Sequence, residues 1–125
     1  MSTLERQFEV LREKYPNATM APLPSGASLI TLPDMSLPAG WSQDKVTVKF
    51  LAPTGYPFAA PDCFWIDENV RLANGAMPQA SNLSPIPEVN INHLWFSWHV
   101  SAWNASRDNL LSYVGVINNR FVEAK

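Results

Sequence analysis

Very few side chains in this sequence could begin a reaction. Cys63 is the only cysteine, and His93 and His99 are the only histidines. A thiol attacks as its thiolate, so a nucleophilic Cys63 would need an accessible setting and a lowered pKa. Its neighbour Asp62 works against this, because a carboxylate disfavours a second negative charge beside it. The other reading of Cys63 is a small apolar packing residue. Alternation along a short strand places Phe64 and Ile66 on one face and Cys63 and Trp65 on the other. His99 sits among Trp95, Phe96, Trp98 and Trp103. It reads either as a general acid/base or as an imidazole hydrogen-bonded in place to hold the chain crossing against the core. His93 reads as a loop residue. Two histidines six residues apart, with no carboxylate nearer than Glu88, make poor metal ligands. No metal and no cofactor is expected.

The elements that must position these groups follow from composition and pattern. The chain has 125 residues, 46% hydrophobic and 16% charged, which suits one domain with a packed core. Nine basic residues against 11 acidic ones supply no surface for phosphate backbones, so nucleic acid is excluded as a first partner. One cysteine excludes an internal disulfide framework and fits a reducing compartment. No run approaches the ~20 apolar residues of a membrane span, and the first residues carry no secretory pattern. A soluble, cytoplasmic protein is expected, with no membrane contact. Eleven prolines argue against a helical bundle and for short strands joined by rigid turns.

Residues 2–15 read as an amphipathic helix. Ser2 and Glu5 form a capping box, Leu4, Phe8, Leu11 and Tyr15 share one face, and Pro16 ends it. Residues 27–32 read as a strand closed by Pro33. Residues 45–51 are the clearest strand, with Val46, Val48 and Phe50 alternating with Thr47 and Lys49. Residues 63–66 read as a third strand. Residues 67–92 show weak periodicity and read as a long irregular crossing. Residues 106–123 read as a second helix, with Leu110, Val114, Ile117 and Phe121 as its apolar stripe and Asn104 or Ser106 as its cap. The expectation is a single α+β domain over residues 1–125. It has an N-terminal helix, an antiparallel meander, a long irregular crossover and a C-terminal helix.

Against that frame, Tyr56-Pro57, then three residues, then Pro61-Asp62, directly after an alternating strand, resembles the turn of ubiquitin-conjugating enzymes. Asn69-Val70 followed by Gly75 resembles the segment leading to that family's catalytic cysteine, and Trp103 matches a tryptophan before a late helix. Residues 37–40, 71–75 and 96–99, with Trp103 and Asp108, are similar to the bacterial branch of this superfamily. The resemblance covers nearly the whole chain and implies a ubiquitin-conjugating-enzyme-like fold. As partners it implies a ubiquitin-like protein and an activating-enzyme homologue. It gives Tyr56, Pro57, Pro61, Asp62, Asn69 and Trp103 structural places, with Pro61 the proline expected to form a cis peptide bond.

The departures bear on activity. In the family the nucleophilic cysteine follows the glycine by about three residues. Here those positions are Ala76, Met77 and Pro78, and Asp67 and Glu68 replace the histidine and proline before Asn69. An oxyanion role for Asn69 is therefore empty, and a turn-forming asparagine is the better reading. If the chain transfers a ubiquitin-like protein through a thioester, Cys63 must be the nucleophile, with His99 as acid/base partner. If it does not, the fold is a non-catalytic binding module for a ubiquitin-like protein or its activating enzyme. Trp41, in a Pro-Gly turn, and one of Trp95 or Trp98 are then expected to be partly exposed binding anchors.

Overall fold

The first helix, α1 (Thr3–Lys14), begins where the sequence places it. The Ser2 hydroxyl accepts from the Glu5 amide at 3.0 Å, and the Glu5 carboxylate accepts from the Ser2 amide. These bonds satisfy two of the helix's orphan donors. Leu11 is fully buried, and Leu4, Phe8 and Tyr15 pack beside it against the core. The computed structural model describes residues 2–98, 100 and 102–125.

Six strands follow: β1 (Thr19–Pro22), β2 (Ser28–Ser36), β3 (Lys45–Ala52), β4 (Phe64–Ile66), β5 (Ser81–Pro85) and β6 (Asn92–Phe96). They form one antiparallel sheet in the order β1-β2-β3-β4-β6-β5. The second helix, α2 (Leu110–Val122), closes the fold and packs against α1. The expected meander is β2, β3 and β4, and β1 extends it by a strand that the sequence expectation did not include. The stretch expected to be one irregular crossing, residues 67–92, instead contains β5 and runs into the first residue of β6.

Local chemistry explains each difference from the sequence expectation. Pro33 does not end β2. It lies in a bulge between Leu32 and Met35, with Asp34 at φ 56, and a bulge tolerates a residue without an N–H. β5 is an edge strand of mixed burial, so it shows no apolar period. On its outer side the Leu83 amide donates to the Asn82 side chain at 2.9 Å. α2 starts at Leu110 rather than 106. Its cap is Asn109, whose side-chain oxygen accepts from the Ser112 amide at 2.9 Å. Asn104 caps a separate turn, accepting from the Ser106 amide and hydroxyl. The cis peptide bond lies at Tyr56–Pro57, one proline earlier than expected.

The main core sits between one face of the sheet and the two helices. Ile30, Leu32, Val48, Phe50, Phe64, Ile66, Leu94 and Phe96 face Leu11, Leu110, Tyr113, Val114, Ile117 and Phe121. The rings of Phe64 and Phe96 stack at 4.8 Å, and Phe121 meets Phe64 edge-on at 5.7 Å. Trp65, Ala27 and Ile86 are also buried but belong to no part of this core. Register puts Trp65 on the opposite face, in line with Lys49 and Trp95.

Candidate functional site

The Tyr56-Pro57 turn is a fixed corner. The Tyr56 hydroxyl donates to the Gln7 side-chain oxygen on α1, and the same oxygen accepts from the Leu110 amide at 3.2 Å, at the start of α2. Trp103 donates its indole N–H to the Pro57 carbonyl at 2.7 Å, and its ring lies 5.9 Å from that of Tyr56. Three of the expected motif residues are thus brought together, and Gln7 is a partner the sequence did not flag. Burial, together with the nearby Asp108 carboxylate, pushes the Tyr56 hydroxyl far above its ordinary pKa. This corner holds elements together and carries no nucleophile. Pro61 is buried, while Asp62 and Asn69 are exposed.

The loop after Gly75 is the position where the resemblance would put a nucleophile. It is tied down on both sides. Leu72 bridges to Trp41, and the Ala73 amide donates to the Gly40 carbonyl at 2.8 Å. The Ala76 amide donates to the Asn74 side chain at 3.0 Å, and the Gln79 amide donates to the Lys125 backbone oxygen at 3.0 Å. Pro78 is buried, and Met77 is 42% exposed.

Arg120 locks this region from below. Only 3% exposed, its guanidinium donates to the backbone oxygens of Glu123, Gln79 and Lys125 at 2.9, 2.9 and 2.6 Å. The rings of Trp41, Phe96 and Trp98 surround it at 5.7, 5.1 and 5.3 Å. The sequence held a signal for Arg120, since it falls on the buried stripe of α2 three residues after Ile117. Trp41 is 6% exposed, with its indole N–H on the Phe121 carbonyl at 2.9 Å. The expected partial exposure of Trp41 is therefore corrected, because its two ring surroundings and its donor are all taken inside the fold. Trp95 and Trp98 are half-buried.

Cys63 lies elsewhere, on the sheet face away from the helices. It lines a cavity of about 470 Å³ together with Leu51, Trp65, Pro85, Pro87 and Trp95, to which no residue between 66 and 83 contributes. Phe64 and Ile66 point into the core, as alternation requires. Burial raises the Cys63 thiol pKa most, and Asp62 raises it further, against a hydrogen bond from Trp95 that lowers it. The carboxylate argument from sequence had the right sign, but burial is the larger cause. Tyr113, behind Cys63 on α2, has a buried hydroxyl with no hydrogen-bond partner among the described residues, and its pKa is also pushed up by burial. His99 lies outside the described residues. His93 is in β6 rather than a loop and is 8% exposed. Its Nδ1 faces the Ile91 carbonyl at 2.9 Å and its Nε2 faces the Lys49 ammonium at 3.3 Å. Both contacts are satisfied by a proton on Nδ1 and a lone pair on Nε2. Among the described residues no cluster of three metal-ligating side chains occurs, and no helix is long and apolar enough to cross a membrane.

The sequence profile of prokaryotic E2 family E matches residues 8–124. The chain belongs to prokaryotic E2 family E. Membership ties it to ubiquitin-conjugation-type proteins of prokaryotes, in accord with the helix, antiparallel sheet and helix described above. No curated protein and no solved structure gives a match.

Proposed function

We propose that this chain acts in a bacterial ubiquitin-like modification pathway as a non-catalytic binding module for a ubiquitin-like protein or its activating enzyme. The observation that carries this reading is the Gly75 loop. It offers only Ala76, Met77 and Pro78, none of which can form a thioester, and its ends at Ala73 and Gln79 are bonded to Gly40 and Lys125. The only thiol sits in a different cavity with its pKa raised, the opposite of what an acyl-accepting cysteine needs. The cytoplasm is the place of work that goes with this reading, in keeping with a single cysteine.

The second reading keeps the chain as a transferase through Cys63, with His99 as acid/base partner. It draws support from the cavity around Cys63, which gives the thiol an approach route. One experiment separates the two. The chain is incubated with ATP, a bacterial activating enzyme and a ubiquitin-like protein, and adducts are resolved with and without reductant. The binding-module reading expects no reducible adduct, together with measurable affinity by calorimetry that Cys63→Ala retains. A reducible adduct that Cys63→Ala abolishes would replace it with the transferase reading. No affinity for either partner would sink both.

A further inference from the structure

The β5–β6 connection, residues 86–91, reaches across the sheet. β5 and β6 form one edge of the sheet, and β1 and β2 form the other. Yet Glu88, at the tip of the β5–β6 connection, holds Ser25, in the β1–β2 turn. The Ser25 amide donates to Glu88 Oε1 at 2.9 Å, and the Ser25 hydroxyl donates to Glu88 Oε2 at 2.7 Å. Both residues are exposed and lie 63 positions apart in sequence. The connection therefore lies over the sheet face that the helices leave open.

Three further observations make this segment a unit. Ile86 is fully buried although it belongs to no part of the main core, and Trp65, on the covered face, is 4% exposed. The segment is internally closed by bonds from the Val89 and Asn90 amides to the Ile86 carbonyl and from the Ile86 amide to the Ile91 carbonyl. Glu88 and Asn90 stand at φ 68 and 59, left-handed backbone that non-glycine residues adopt at a cost. Beneath it Trp65 Nε1 is buried without a hydrogen-bond partner among the described residues. An uncovered indole would give that donor to water.

We propose that residues 86–91 are a strap that lifts from the sheet as a unit, and that the Glu88–Ser25 contact is its latch. Opening exposes the face that carries Trp65, Trp95 and Cys63 without disturbing the core on the other side. The latch is a carboxylate on a serine, so a negative charge placed at residue 25 opens it by like-charge repulsion. The inference stands on the strap's own contacts and not on the binding-module reading.

The test is native-state hydrogen exchange on the full chain, following the Trp65 indole, which lifting uncovers, alongside the amides of residues 86, 89 and 90, whose bonds close within the strap and travel with it. Glu88→Ala is expected to speed exchange of the Trp65 indole about threefold to tenfold, as for loss of charge-assisted hydrogen bonds at a surface, while the strap's own amides change little. The β3 amides are expected to keep their rates. Ser25→Asp is expected to speed the indole at least as much. Combined with Glu88→Ala it should add nothing, because the repelling partner has gone. An unchanged Trp65 indole in Glu88→Ala would overturn the proposal. So would an equal rise in the β3 amides, since the strap would then open only with the whole domain. Additive effects in the double variant would overturn the latch as its mechanism.

Discussion

The indole nitrogen of Trp103 donates to the carbonyl oxygen of Pro57 at 2.7 Å, across 46 residues of chain. With the Tyr56 hydroxyl on Gln7, this bond fastens the turn after β3 to both helices. Trp103→Phe keeps most of the ring and removes the donor, leaving a half-buried carbonyl unpaired. The expected loss is about 1–2 kcal/mol in urea denaturation. Tyr56→Phe should cost a similar amount. The two together should cost less than their sum, since they hold one corner. Strict additivity would mean that the two bonds act independently.

Arg120 predicts a sharper result. Its three acceptors are backbone oxygens arranged around one planar fork, between three rings. Lysine carries the charge but cannot reproduce the fork. Arg120→Lys is expected to cost about 2–4 kcal/mol, comparable to breaking a buried charged contact. A denaturation midpoint within experimental error of the parent would show that the fork contributes nothing.

Gly40 separates sterics from backbone preference. It stands at φ 102, and a Cβ there would meet the Ala124 Cβ at 2.5 Å. Gly40→Ala should destabilise by more than the ~1 kcal/mol usual for a left-handed alanine. Adding Ala124→Gly should recover the clash but not the φ term. Full recovery in thermal melts would assign the whole effect to the collision.

Stability should fall as pH rises into the alkaline range. The Cys63 thiol is raised by burial, so the folded state keeps its proton where the unfolded chain has lost it. Stability from this group is therefore complete below about 8.5, the unperturbed thiol value, and declines above it. Tyr56 and Tyr113 act in the same direction, beginning near about 10. Denaturation midpoints measured from pH 7 to 11 should drop in these two stages, and Cys63→Ala should remove only the first. Retention of the first stage in that variant would place its origin elsewhere.

What could be read from the sequence depended on how each element is covered. β3 is buried on one face only, so Val46, Val48 and Phe50 stood out against Thr47 and Lys49. β6 hid because both its faces are covered. Leu94 and Phe96 enter the core, while His93 and Trp95 lie on the strap side, and no alternation survives. β1 and β5 are edge strands with polar and proline residues, whose pairing is a tertiary event. At the α2 start, Asn104 and Ser106 imitated a cap because they close a real turn of their own. For the candidate site, the sequence reading placed Phe64 and Ile66 inward, where the core has them. It missed Arg120, a charge on an apolar stripe whose partners lie up to 79 residues away in the chain.

The Asn82 side chain on the Leu83 amide concerns molecules other than this one. An unpaired strand margin invites a second chain to lengthen the sheet, and repeated addition of that kind ends in fibres. At the β5 margin one of the donors that such growth requires is already occupied by the strand's own asparagine, with Pro85 at its end offering none. Copies of this chain that meet along β5 therefore find part of that ladder already taken. Self-stacking is discouraged by a single side chain that does nothing for the core.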